Sequence, residues 1–266
     1  MKPENSRRIL ENLYHHINRR DYVSPDPLQF LYDFKDVRDR EIVGLIASSL
    51  AYGRVAQILK SVAWILDIMG PSPYRFLEKE TDPVFRKRLS GFKHRFATGE
   101  HLSSLLSGMK NTIACFGSLN ACFQKGYSEK DENILPGMIF FVDSLTQPGL
   151  DPGHLIPLPN RGSACKRMNL FLRWMVRKDH VDPGGWEDIS ASKLIIPLDT
   201  HMHKMGIFFG YTTRKQADMD TALEITKGFR KIDPHDPVKY DFSLTRFGIR
   251  KDLDMKDFLK PNLTYI

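Results

Sequence analysis

Two short stretches of the chain carry residue types whose spacing suits covalent chemistry. In "IIPLDTHMHKMG" (195–206) an apolar run closed by Pro197 delivers Asp199 ahead of His201, His203 and Lys204. In "LIPLPNRGSACKRMNLFLRWMV" (155–176) Lys166 follows a turn-rich approach and precedes an apolar stripe of Leu170, Phe171, Trp174 and Met175. Asp199 has the position of a helix N-cap, where amide groups keep a carboxylate ionised. Such an acid either serves only as a cap or also stabilises positive charge developing beside it. Lys166 falls near the start of a helix opened by Gly162 and Ser163, between Arg161 and Arg167. That setting disfavours a further positive charge, which is what an amine nucleophile needs. The alternative is that the three bases simply meet phosphate or solvent.

The same stretch does not read as a metal site. On a helix His201 and His203 project about 200° apart, and no cysteine pair lies nearby. Cys115, Cys122 and Cys165 are scattered and form no disulfide framework, so reduced thiols are expected and no cofactor is. With 39 Lys+Arg against 32 Asp+Glu, the formal charge of +7 suits a polyanion such as DNA or RNA. The basic residues gather at 86–96, 161–167, 173–178 and 228–231; the second and third of these share a segment with Lys166. The N-terminal stretch is polar and no apolar run is long enough to span a membrane, which points to a cytoplasmic protein without membrane contact.

Positioning these residues falls to helices. Helical periodicity is expected over 4–19, 36–53, 55–68, from Thr98 or Gly99 onward, in "LPGMIFFVDSLTQ", from 165 to 178, after Asp199, in "DMDTALEITKGFRKI" and in the closing "YDFSLTRFGI". Short helical pieces are expected in "DPVFRKRLSGFKHRF" and a linker in "GYSEKDENIL". Strand alternation is scarce. The expectation is an all-α chain in two lobes with a cleft between them. One lobe covers 36–178 and carries Lys166; the other is built from 1–35 plus 179–266 and carries Asp199.

The pair "GSACKRMNLFL" and "IIPLDTHMHKMG" resembles the signature of the helix-hairpin-helix DNA glycosylase superfamily, in which a lysine in "GxxxKxxN" is followed by an aspartate in "hPhDTHhxR". Lys166, Asn169, Asp199, Thr200, His201 and Lys204 stand at the matching positions. Upstream, "GLIASSLAYGRV" (44–55) resembles the "LIxxhLSxQ" helix, after which a side chain wedges into DNA; Tyr52 and Arg54 are the nearest equivalents. The chain as a whole resembles a bacterial conserved family of unknown function related to these enzymes. The hairpin pattern "LPGhGxxTA" is altered here to "LPNRGSACKRM", with Asn160 and Arg161 in the tight turn. The lysine-to-aspartate separation of 33 residues (199 − 166) is similar to that of the archaeal 8-oxoguanine glycosylases.

The resemblance implies a two-lobed glycosylase-like fold and a base-excision enzyme with lyase activity, working as a monomer on double-stranded DNA with a damaged base, near the nucleoid. Lys166 would be the Schiff-base nucleophile and Asp199 the stabiliser of positive charge at the sugar, with oxidised purines as the leaning for substrate. Tyr52 would fill the vacated stack; Arg54, Arg161, Gly162, Arg167 and Lys204 would contact phosphates, with Asn169 and His201 alongside. Trp186 would either stack on a base or fill core, and Phe30 and Phe247 could shape the pocket. Two other readings stay open: a non-catalytic DNA- or RNA-binding protein on the same scaffold, and an enzyme acting on another nucleobase or on RNA.

Overall fold

Short polar side chains decide where half of the α-helices among the described residues begin. Asp36 accepts from the Arg38 amide, Ser72 from Arg75, Ser118 from Ala121 and Asp218 from Thr221, while Thr98 and His101 form a reciprocal capping box. Each such cap contributes about 1 kcal/mol to its helix. The computed structural model describes residues 3–250 together with Asp252 and Leu253. Its helices are α1 (Pro3–Ile17), α2 (Val37–Ser49), α3 (Val55–Met69), α4 (Pro73–Lys79), α5 (Asp82–Leu89), α6 (Gly99–Phe116), α7 (Leu119–Lys125), α8 (Leu135–Leu145), α9 (Lys166–Val176), α10 (Thr200–Phe208), α11 (Met219–Arg230) and α12 (Asp241–Ile249). Among the described residues the one sheet is a two-stranded antiparallel hairpin, β1 (Lys93–His94) with β2 (Ala97–Thr98). The chain is therefore mostly helical, and no helix among the described residues is long and apolar enough to cross a membrane.

Helix α2 is the hub. Every residue from Glu41 to Ser49 is buried, and the helix packs against α9, α3, α4, α7 and the 3-10 turn Pro27–Asp33. Because a helix buried all round leaves no solvated face, its buried acids need partners; Asp39 accepts from the Ser72 hydroxyl and the Tyr74 amide (2.9 and 2.8 Å). Glu41 finds its own in the Leu119 and Asn120 amides at the start of α7 (2.8 and 3.1 Å) and in the Trp186 indole N–H (3.0 Å). Trp186 is fully buried, packed among Phe123, Phe141 and Phe171. In this structure it fills core.

Several local expectations change. The basic stretch 86–96 is helical only to Leu89; it then turns into the β-hairpin, with Arg95 at φ 52° in the turn. Helices α4 and α7 lie in segments for which no helix was expected. The approach to Lys166 is not a helical hairpin. Between α8 and α9 run 20 residues (146–165) whose only regular pieces are the 3-10 turns Gly153–Leu155 and Pro159–Arg161. Gly162 takes the left-handed conformation (φ 74°) after the second turn, and α9 starts at Lys166 itself rather than at Gly162 and Ser163. Of the expected second lobe, residues 1–2, 251 and 254–266 lie outside the described residues.

Candidate active site

Two helix starts bring the lysine and the acid together. Lys166 is the first residue of α9, and Asp199 is the N-cap of α10. Asp199 Oδ1 accepts from the His201 and Met202 amides (2.9 and 2.8 Å). Its Oδ2 lies 3.6 Å from Lys166 Nζ, with both side chains partly open to solvent. The cap fixes the carboxylate's rotation, so one oxygen is committed to the helix and the other faces the amine.

Both groups line a cavity of about 190 Å³. Its walls come from the α2–α3 connection (Ala51, Tyr52, Gly53), the start of α3 (Val55, Ile58), α9 (Lys166, Leu170, Arg173), Pro197 and Asp199, the Pro25–Pro27 turn, and α12 (Asp241, Thr245, Arg246, Ile249). Segments from both sequence regions expected to form separate lobes thus contribute. The lining mixes apolar residues such as Val55, Ile58, Leu170 and Pro197 with six charged ones, Asp26, Lys166, Arg173, Asp199, Asp241 and Arg246.

The polar part of the wall is deep. Arg173 and Arg177 of "RWMVRK", expected to offer a basic face, are buried in an ion-pair network. Arg173 donates to Asp182 (3.1 and 3.2 Å) and to Asp241; Arg177 donates to Asp182, Asp179 (2.8 Å) and Asp236 (2.8 Å). Burial opposes the charged guanidinium of Arg173, but Asp182 and Asp241 outweigh it and hold the group above its ordinary range. Burial pushes the Asp241 carboxyl up to about 6; Arg173 offsets part of this and Asp199 adds to it. Arg246, on the same helix as Asp241, donates to Asp26 (2.6 Å) and lies over the Phe242 ring (4.4 Å).

The other expected residues divide sharply. Arg54, Arg161, Gly162 and Lys204 are exposed, free of the packed interior. Arg167 is turned inward: it donates to the Ser49 carbonyl (2.7 Å), covers the Tyr52 ring (4.9 Å), and is lowered from its ordinary pKa by burial. Its charge is spent on the backbone, so it does not reach for phosphate in this arrangement. Tyr52 is also tied down, its hydroxyl donating to the His94 carbonyl (3.0 Å) and its ring edge-on to His94 (4.8 Å). It walls the cavity and is not free to enter a base stack. Asn169 is fully buried, donating to the Ala164 carbonyl (3.0 Å). His201 is exposed, and its ring abuts Gly248, where a Cβ would come within 2.5 Å of the imidazole. His203 instead meets the Arg214 carbonyl (2.9 Å), so the two histidines diverge. Among the described residues no cluster of three or more His, Cys, Asp or Glu is placed to hold a metal ion. Phe30 and Phe247 pack partly buried against the core.

Two residues lining the cavity, and one beside its wall, gave no clear signal in the sequence. Asp241 and Arg246 look like ordinary surface charges of an amphipathic helix. Phe96, 61% exposed at the hairpin turn, sits within a stretch that looks helical. It lies beside Arg95 (5.3 Å) and His154 (5.4 Å), and Arg95 in turn packs so closely on Gly53 that any Cβ there would meet it at 2.9 Å. An exposed aromatic beside Arg95 therefore stands near the Tyr52–Gly53 part of the cavity wall.

No curated protein and no solved structure matches this chain. Residues 26–250, which include Lys166, Asp199 and every residue lining the cavity except Pro25, match one family along their whole length, and the chain belongs to the family described as Protein of unknown function (DUF2400).

Proposed function

We propose that the protein is a nucleic-acid base-excision enzyme with lyase activity, using Lys166 as nucleophile and Asp199 as its charge partner. The single observation that carries this reading is the 3.6 Å approach of Lys166 Nζ to a helix-capping carboxylate on the wall of a cavity that both residues line. A nucleobase enters such a cavity only when swung out of its stack. The free amine of Lys166 attacks the sugar C1′, and the bond from C1′ to the base nitrogen breaks with its electron pair leaving on the base. Asp199 stabilises the positive charge that develops at C1′ and is placed to take the proton the amine sheds. Opening of the sugar ring then gives a protonated imine on Lys166. Loss of a C2′ proton from that species expels the 3′ phosphate and cuts the strand. Arg54, Arg161 and Lys204 are the exposed cations available to the backbone. Phe96, in place of the anchored Tyr52, is the aromatic available to fill the gap left by the base.

The test is borohydride trapping on duplexes carrying damaged bases or an abasic site. Wild type yields a covalent adduct; Lys166→Ala yields none, and Asp199→Asn, which keeps a capping side chain, lowers trapping by about 10²-fold or more. Salt-sensitive binding with no adduct on any duplex would instead favour a protein that binds nucleic acid without cutting it.

A further inference from the structure

We infer that the groove between α3 and the chain entering β1 binds an unpaired nucleotide of a nucleic-acid strand, its base against Trp64 and its phosphates at Lys60 and Lys93. That this strand is the one whose base is excised rests on the excision reading above; the groove's affinity for a strand does not.

Of the three tryptophans, Trp174 and Trp186 are fully buried, whereas Trp64 is 38% exposed. The exposed indole is held in place rather than loose. It stacks on Phe92, with ring centres 5.6 Å apart and planes 29° from parallel. Beside it lies a groove of about 250 Å³, lined by Gln57, Lys60, Ser61 and Trp64 of α3 and by Phe92 and Lys93 facing them. The three- and four-residue spacing of the α3 residues puts all four on one side of that helix.

The charges select the occupant. Lys60 and Lys93 reach the groove from two different elements, and no carboxylate lines it among the described residues; Asp67, the one acid of α3, stands outside. An aromatic platform between ammonium groups suits a flat ring joined to phosphate, which is how single strands are held without regard to sequence. A cationic partner would be repelled, and a purely apolar one would strip water from two ammonium groups without replacing it. Bases in a duplex keep their faces stacked on one another, so the strand is unpaired where it meets Trp64. A strand fits better than a free nucleotide because the surface continues. Lys93 leads into the hairpin turn with exposed Arg95 and Phe96, and Arg95 packs on Gly53 of the cavity wall. Beneath, the Ser61 hydroxyl lies 2.9 Å from His94 Nδ1 and His94 Nε2 lies 3.1 Å from the Tyr52 carbonyl, which ties the groove to that wall.

The experiment titrates the intact protein with undamaged oligothymidylate of about ten nucleotides, following intrinsic fluorescence and the anisotropy of an end-labelled strand. Binding quenches the emission of Trp64, the other two tryptophans being sealed in the core. Trp64→Ala, checked for folding by circular dichroism, weakens binding about tenfold. Lys60→Ala and Lys93→Ala, at exposed positions, each lower the salt slope by about 0.7, and they decide the matter even if loss of the indole disturbs the fold. No binding, binding without quenching, or binding that none of the three variants changes would overturn the inference. So would thymidine monophosphate or polyglutamate binding as tightly as the strand, since the groove would then serve a free nucleotide or an acidic protein. Trapping on an abasic-site duplex reports on Lys166 separately. Quenching without trapping leaves the groove standing and removes the lyase chemistry; trapping without quenching does the reverse.

Discussion

The two ends of α9 carry the same kind of side chain in opposite circumstances. At its start Lys166 is partly open to solvent and has one carboxylate 3.6 Å away; two turns on, Arg173 and Arg177 are buried and surrounded by four acids. The first arrangement leaves an amine available for a ligand. The second fully commits its cations to holding α9 against α12 and the 179–182 turn. A run of basic residues is therefore a poor guide to a binding surface until burial is known.

Substitutions at each end sharpen that contrast. Arg177→Met leaves Asp179, Asp182 and Asp236 without their shared cation, and denaturant unfolding shows a loss of about 3–5 kcal/mol. Arg161→Ala, at the exposed approach to Lys166, stays within about 0.5 kcal/mol of wild type while lowering the salt dependence of DNA binding by about one unit of slope. If both variants unfolded alike, the two ends would not differ as described.

A second expectation concerns pH. Burial raises Asp241 from 3.8 to about 6, so between those values the folded protein keeps a proton that the unfolded chain releases. Stability then falls as pH rises from about 4 to 6, by up to about 3 kcal/mol. The groups around it, Arg173, Asp182 and Asp199, set the remainder of the profile. Asp241→Asn removes this segment of the slope; an unchanged slope in unfolding curves across that range would show that Asp241 stays ionised in the fold. A further contrast lies at the rim. Phe96→Ala weakens binding to duplexes containing an unstacked base by about 1–3 kcal/mol, whereas Tyr52→Phe leaves this nearly unchanged. Fluorescence anisotropy separates the two.

What the sequence disclosed follows a physical line. Some helix starts were legible because capping chemistry is local: Asp36, Asp199 and the Thr98 segment announce themselves within three residues, although the equally local caps Ser72 and Ser118 were not read as such. So was the pairing of Lys166 with Asp199 as candidates, since each stands at a helix start. Long-range partnership was not legible. Nothing near Arg167 says that it will turn to the Ser49 carbonyl, and nothing near Trp186 names Glu41, 145 residues away, as its acceptor. The hairpin at 93–98 was hidden because two-residue strands leave no alternation to detect. Asp241 and Arg246 were hidden because a buried charge and a solvated one are the same letter.

The cap at Asp199 also bears on which sequence changes the chain can absorb. One oxygen registers α10 and the other faces Lys166, so the position answers to two demands at once. Asn, Ser or Thr would keep the helix start and surrender the charge; Glu would keep the charge and reach past the amides. Each single replacement fails one demand, so drift away from aspartate at this position meets a barrier in every direction, and only a compensating change in the helix start itself would open a path.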